Sequence, residues 1–166
     1  MLSNNDILRR LRYALRINNR NMLAVFQLSG YEIPEEHLQN LLKKEEEPGF
    51  IPCRDSVLLL FLDGLILERR GPSTEKRATA DEPNAEAPRK PKLNYNDVLR
   101  KIRIALELQE QDLIDIMALA GFTVSRSELS AFFRKPGHRN YRECGGQFLR
   151  NFLRGLTLRY RGEPHV

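Results

Sequence analysis

The stretch NNDILRRLRYAL at residues 4–15 returns 91 positions later as YNDVLRKIRIAL at residues 95–106. The correspondence continues without a gap, so that FLDGL at residues 61–65 meets FLRGL at residues 152–156. An internal repeat of this length decides the architecture before any single helix or strand is assigned. The sequence therefore predicts two homologous domains within the 166 residues.

The predicted domains are residues 1–71 and 93–162, and residues 72–92 join them. The joining segment has four prolines and no large apolar residue, which predicts a flexible linker. A domain of about 70 residues buries only about 60% of the surface that its unfolded chain exposes. Each domain core is therefore expected to be small.

Apolar residues recur at helical spacing in both copies, as Ile7, Leu8, Leu11 and Leu15 do in the first. No segment alternates convincingly at period two, so no sheet is expected. We predict an all-α protein in which each domain has four to five helices. The predicted helices begin near Ser3, Met22, Pro34 and Asp55 in the first copy, and near Asn94, Leu113, Ser125 and Gly146 in the second.

A glycine lies inside the last predicted helix of each copy, at Gly64 and Gly155. Glycine in a helix interior costs about 1 kcal/mol relative to alanine. Because both copies carry this costly residue at the same place, the sequence predicts close backbone approach by another helix.

The net charge of +5 comes from the second copy. Residues 1–71 contain ten Lys/Arg and ten Asp/Glu, whereas residues 93–162 contain twelve and seven. No apolar run approaches the roughly 20 residues of a membrane span, and the N-terminus has no apolar signal-peptide segment. We therefore expect a cytoplasmic protein without a membrane partner.

The segment QDLIDIMALAGFTVSRSELSAFFRK, residues 111–135, contains an apolar helix, a glycine turn and a second helix with a polar outer face. Residues 19–44 repeat this order. The succession resembles helix-turn-helix domains of the lambda-repressor type. In such domains the second of these helices enters the major groove of DNA. The resemblance implies a DNA-facing third helix.

The whole chain resembles the YehS-like family of uncharacterised bacterial proteins, built from tandem copies of a domain of unknown function. The motifs that carry the resemblance are NNDILRRLRYAL, FLDGL, YRECG at residues 141–145, and FLRGL, in this order. The resemblance implies an all-helical tandem protein of the bacterial cytoplasm. It implies no particular activity.

The residues needed for catalysis or metal binding are few. A structural zinc site needs four ligands, and residues 134–144, which are rich in Lys and Arg, contain only one histidine and one cysteine, His138 and Cys144. The first copy keeps the cysteine as Cys53 but has Glu47 opposite the histidine, which favours two buried core cysteines over a catalytic pair. We predict a protein that is not an enzyme and that uses no metal or cofactor.

The leading functional hypothesis is DNA or RNA binding by the second copy. Its predicted third helix and the following loop carry cations, hydroxyl groups and a tyrosine, which suit phosphate neutralisation and base contacts. The first copy is acidic at the same places and would repel phosphate. The predicted nucleic-acid-binding residues are Arg126, Ser127, Ser130, Arg134, Lys135, Arg139, Tyr141 and Arg142.

Two alternatives remain open. The first copy could present its basic first helix to nucleic acid, leaving its acidic face for a protein. Alternatively, the chain is a tandem protein-interaction module or scaffold, in which the acidic face of one copy meets the basic face of another, within a chain or between chains. The acidic face consists of Glu35, Glu36, Glu45, Glu46 and Glu47.

Overall fold

The computed structural model describes residues 2–71 and 93–162, and the predicted linker 72–92 lies outside these ranges. The described residues form eight α-helices and no strand, which confirms the all-α prediction. The helices of the first copy are α1 (Asn4–Ala14), α2 (Asn19–Leu28), α3 (Glu35–Leu41) and α4 (Asp55–Arg70). Those of the second are α5 (Tyr95–Leu106), α6 (Glu110–Leu119), α7 (Arg126–Phe132) and α8 (Gly146–Arg161).

The first helix of each copy begins with a capping box. The Ser3 hydroxyl accepts a hydrogen bond from the Asp6 N–H at 3.1 Å, and the Asp6 carboxylate accepts one from the Ser3 N–H at 3.3 Å. Asn94 and Asp97 make the same pair of bonds in the second copy. These bonds satisfy N–H groups that a helix start leaves without partners.

The second helix of each copy begins one turn earlier than predicted. In α2 the first turn starts at Asn19, because the side chain of Asn18 caps the helix by accepting from the Asn21 N–H at 2.8 Å. The prediction began at Met22, the first apolar residue of the stripe. Polar first turns carry no apolar periodicity, so the stripe alone misses them.

The helices α1, α4, α5 and α8 begin at one end of a bundle and run in the same direction, as the contacts between their starts and between their ends show. There, Asn4 donates to the Asp55 carboxylate at 2.8 Å, and the Leu93 N–H donates to the same carboxylate at 3.2 Å. The Tyr95 hydroxyl donates to the Leu2 carbonyl at 2.6 Å. At the start of α8, a Cβ on Gly146 would lie 3.2 Å from the Tyr95 ring. We call this the N end.

The opposite end, the C end, shows how the copies pair. The Arg70 guanidinium donates to the Ile104 carbonyl at 3.1 Å, and the Arg161 guanidinium donates to the Tyr13 carbonyl at 2.9 Å. The two bonds are equivalent under the repeat. Among the four parallel helices, the most extensive packing is between copies, α4 against α5 and α1 against α8. The copies thus share one hydrophobic core with pseudo-twofold symmetry.

Of the remaining four helices, α2 packs on α4 and α6 packs on α8, while α3 contacts α2 and α7 contacts α6. The predicted close approach at the helix-interior glycines is confirmed. A Cβ on Gly64 would lie 2.0 Å from the Val25 carbonyl oxygen, and one on Gly155 would lie 2.1 Å from the Ile116 carbonyl oxygen. Within the described ranges, no helix combines the length and apolar content needed to cross a membrane.

Candidate nucleic-acid interface

A buried asparagine holds the segment between α7 and α8 in place. The Asn96 amide group donates to the carbonyls of Phe132 at 3.0 Å and Arg142 at 2.9 Å. Its carbonyl oxygen accepts from the Cys144 N–H at 2.8 Å. Because both amide hydrogens and the oxygen are used inside the protein, the segment is attached to α5 at three points. We call residues 134–142 the basic loop.

The basic loop itself consists of two successive turns. The His138 N–H donates to the Lys135 carbonyl at 3.0 Å, and the Tyr141 N–H donates to the His138 carbonyl at 2.9 Å. The His138 ring accepts from the Asn140 N–H through Nδ1 at 2.9 Å. The Arg142 N–H donates to Ala131 of α7 at 3.1 Å. These bonds give the loop a defined shape and give His138 a structural role.

Four cations on this loop are exposed to solvent. Over residues 2–71 and 93–162, none of the four has an acidic group within 4.0 Å. Tyr141 lies beside them and is half-buried. The loop therefore carries four exposed cations that no acidic side chain of the described residues neutralises. They are Arg134, Lys135, Arg139 and Arg142.

The predicted residues on α7 are less available. Arg126 donates to the Glu110 carboxylate at 2.7 Å and to the Gln111 side-chain oxygen at 2.9 Å, so its charge is already balanced. The Ser127 hydroxyl is exposed and lies 3.3 Å from the Ser125 hydroxyl. Ser130 is half-buried. The helix spans only seven residues, so its outer face is short.

A cleft of about 370 Å³ separates the start of α6 from α7 and brings part of the predicted site together. Ser130 and Arg134 line it, and the Arg103 guanidinium lies 4.7 Å from the centre of the Phe133 ring at its wall. Glu110 places a negative charge in the same cleft. The cleft therefore has mixed charge, whereas the basic loop does not.

The first copy has the same loop attachment with the opposite charge. Asn5 donates to Leu41 and Ile51 and accepts from Cys53, each at 2.9 Å. Within the described residues, no glutamate of the acidic face pairs with a cation of the second copy. The intrachain contact that the scaffold hypothesis allows is thus not made in this structure.

The two asparagines that hold these loops to the first helix of each copy, Asn5 and Asn96, were not predicted from the sequence, and we call them the asparagine clamps. The signal that could have found them is a polar residue kept in both copies beside the apolar stripe of the first helix. Because Asp6 and Asp97 already complete the capping boxes, capping does not explain why the asparagines are kept. A polar side chain on a buried helix face needs internal partners, and the segment after the third helix supplies them.

Both cysteines are buried and unpaired by disulfides, with 7% of Cys53 and 5% of Cys144 exposed. Burial raises the pKa of each thiol to about 12, so neither is a reactive thiolate near neutral pH. Among the described residues, no group of three or more His, Cys, Asp or Glu could hold a metal ion.

Comparison with known proteins identifies the family but not an activity. The family described as "Protein of unknown function (DUF1456)" matches residues 4–71 and again residues 95–162. The chain is 45% identical over 159 residues to the uncharacterized protein YehS of Escherichia coli (strain K12), and the match covers 96% of each chain. No solved structure matches the chain. The two matched segments and the full-length similarity show that the chain belongs to the DUF1456 family, with two tandem copies of its domain.

Proposed function

We propose that this protein binds DNA or RNA without catalysing a reaction, through the basic loop of its second copy. The observation that carries the proposal is a set of four exposed cations on a loop that Asn96 fixes to the bundle, none of which has an acidic partner within residues 2–71 and 93–162. A loop whose backbone is already held by hydrogen bonds loses little backbone freedom when a polyanion binds.

The main attraction in this proposal is phosphate neutralisation, which releases counterions and makes affinity fall with salt. Tyr141 supplies a ring beside the cations on which an unpaired base can stack. Ser127 and Ser130 can donate to phosphate or to base edges at the border of the site. Arg126 contributes less, because Glu110 and Gln111 already occupy its guanidinium.

A salt titration of nucleic-acid binding tests the proposal. Labelled duplex DNA, single-stranded DNA and RNA are titrated with the full chain between about 50 and 200 mM salt. The triple variant Arg134→Glu, Arg139→Glu, Arg142→Glu should lose binding at every salt concentration. A wild-type chain that binds none of the three probes at the lowest salt would remove this function.

The control for that titration changes the same charge elsewhere, with Lys44→Glu, Arg54→Glu and Arg69→Glu. All three side chains are exposed and lie in the first copy. The control should keep most of the affinity. Equal losses in both triple variants would mean that only total charge matters, and the basic loop would then not be the site.

The second candidate function is a protein scaffold that pairs the acidic face of one chain with the basic loop of another. It is favoured by one observation: the two loops share an asparagine clamp and carry opposite charges that are not paired within the described chain. Sedimentation at low and high salt separates the two functions. Self-association that disappears at high salt, without nucleic-acid binding, would support the scaffold.

A further inference from the structure

The pairing of helices between copies concentrates positive charge on one side of the bundle. The parallel helices α1 and α8 together carry seven arginines and one aspartate, a net charge of +6. The equivalent pair α4 and α5 carries five Lys/Arg and four Asp/Glu, a net charge of +1. The pseudo-twofold axis runs along the bundle and exchanges these two helix pairs. The pairs therefore lie on opposite sides of the axis.

The difference is sharpest at one pair of equivalent positions. Between α4 and α5, the Lys101 ammonium lies 2.7 Å from the Asp63 carboxylate. The repeat places Arg10 and Arg154 at the same positions between α1 and α8. Two arginines therefore take the place of an ion pair. Both are exposed, and within the described ranges neither has an acidic group within 4.0 Å.

Further arginines continue this surface along α8. Arg154 and Arg161 follow Arg150 by four and eleven residues, which puts all three on one helix face over about 16 Å. Arg161 is fixed at the C end, where its guanidinium lies 3.9 Å from the centre of the Tyr13 ring. The helix α8 contains no acidic residue. We call Arg10, Arg150, Arg154 and Arg161 the basic rim.

We infer that the basic rim is a second contact surface for the phosphate backbone of a nucleic acid, separate from the basic loop. Between α1 and α8, two arginines, Arg10 and Arg154, occupy the positions at which α4 and α5 form a salt bridge. An anion between them replaces the missing carboxylate. The rim is long enough for about five nucleotides at 3.4 Å each. The choice of partner rests on the proposed function, whereas the surface rests on the helix pairing.

The inference changes the role of the first copy. Its sequence is neutral overall, so the leading hypothesis from the sequence places nucleic-acid binding in the second copy. In the folded chain, Arg10 of the first copy lies on the same pair of helices as Arg154 of the second. The binding surface therefore requires both copies in one fold, and neither copy contains it alone.

The test compares two double variants of the full chain. Arg10→Gln with Arg154→Gln removes two charges from the rim, and Arg69→Gln with Arg100→Gln removes two from the opposite helix pair. On duplex DNA, the slope of log affinity against log salt should become shallower by about 1.8 for the rim variant, or about 0.9 per lost phosphate contact. The affinity should fall at least about tenfold at 0.1 M salt. The control should change neither quantity.

A third variant separates binding from folding. Arg154→Asp rebuilds, with Arg10, the ion pair that Asp63 and Lys101 make on the other side. This variant should melt at or above the wild-type temperature and still bind DNA more weakly than the wild type. A rim variant that binds like the wild type overturns the inference.

The outcomes for the rim and the loop are distinguishable. If the loop variant loses binding and the rim variant does not, the inference is wrong and the proposed function stands. If the rim variant loses binding and the loop variant does not, the rim is confirmed and the basic loop is not the site. A wild-type chain that binds no nucleic acid overturns both.

Discussion

The Val25 carbonyl oxygen lies 2.0 Å from the point at which a Cβ on Gly64 would stand. Backbone of α2 thus contacts backbone of α4 with no room for a side chain between them. In the second copy, a Cβ on Gly155 would stand 2.1 Å from the Ile116 carbonyl oxygen, so the same backbone contact is made there. These two contacts set the distance at which an outer helix can cover the bundle.

Replacing either glycine with alanine should therefore destabilise the fold. Helix propensity favours alanine by about 1 kcal/mol, but overpacking in a close-packed interior typically costs about 1–3 kcal/mol and here displaces backbone. We expect a net loss of about 2 kcal/mol or more in the free energy of unfolding for Gly64→Ala and for Gly155→Ala. Urea denaturation measures it.

The control for this prediction is Gly145→Ala, where a Cβ meets nothing within 4 Å and φ is negative. Gly145 is the N-cap of α8, so its replacement should cost under about 1 kcal/mol. If Gly64→Ala proves as stable as the control, then α2 shifts without cost and the close contact has no structural importance.

The repeat explains why helix content and the glycine contacts could be predicted. Residues kept in both copies, such as Gly64 and Gly155, report constraints of a shared fold. The pairing of α4 with α5 and of α1 with α8 could not be predicted, because an apolar stripe shows that a face is buried and not which helix covers it. Because the two copies have the same apolar stripes, a helix that packs on the other copy has the same sequence pattern as one that packs within its own copy.

The candidate site could be predicted only in part, because the sequence does not show which helices come together. Exposed cations in a loop are visible in the sequence, as Arg139 and Arg142 are. Neutralisation of Arg126 by Glu110 was not, because those residues lie 16 positions apart and on different helices. The Arg10 and Arg154 pair is still more distant in sequence, and only the fold brings the two helices together.

Cross-pairing of the helices makes a prediction about the separated copies. In isolation, residues 1–71 would expose the faces of α1 and α4 that pack on α8 and α5, and residues 93–162 would expose the reciprocal faces. A domain of this size has a marginal core, so we expect no folded monomer of either fragment. Every folded species should contain two copies, as a mixed pair or as a homodimer.

Circular dichroism and sedimentation of the two fragments, alone and mixed, measure this. Mixing should restore the cooperative thermal unfolding of the intact chain, and the melting temperature should rise with concentration. A fragment that unfolds cooperatively while sedimenting as a monomer would show that each copy is an independent domain after all.

The asparagine clamps predict a pair of variants with equal stability and different function. Asn96→Ala leaves two buried backbone groups and one part-buried group without their side-chain partner, as does Asn5→Ala in the first copy. Each unsatisfied group costs about 1–3 kcal/mol, so both variants should lose several kcal/mol of stability. Only Asn96→Ala releases the basic loop.

Hydrogen exchange and nucleic-acid binding read out this difference. In Asn96→Ala, the amide of Cys144 should exchange faster and DNA affinity should fall, whereas Asn5→Ala should keep its affinity under conditions in which both variants are folded. The exposed side chain of Asn140 offers a loop control, and Asn140→Ala should leave both measurements unchanged. Equal affinity of the two clamp variants would mean that loop order does not matter for binding.

The buried thiols predict a dependence of stability on alkaline pH. Burial raises the pKa of Cys53 and Cys144 from 9.0 to about 12, so the folded chain retains both protons at a pH where the unfolded chain loses them. The stability that the neutral thiols contribute is therefore complete below pH 9 and declines as pH rises towards 12. The decline is about 1.4 kcal/mol per pH unit for each thiol.

Urea denaturation of the wild type and of Cys53→Ala with Cys144→Ala, between pH 7 and pH 10.5, isolates this contribution from other titrating groups. The variant should lose less stability than the wild type above pH 9, and the two pH profiles should be parallel below it. At pH 8 the native thiols should also react with a disulfide reagent about a thousandfold more slowly than the unfolded ones, since only the thiolate attacks. Rapid modification of the native chain would show that Cys53 and Cys144 become exposed without global unfolding.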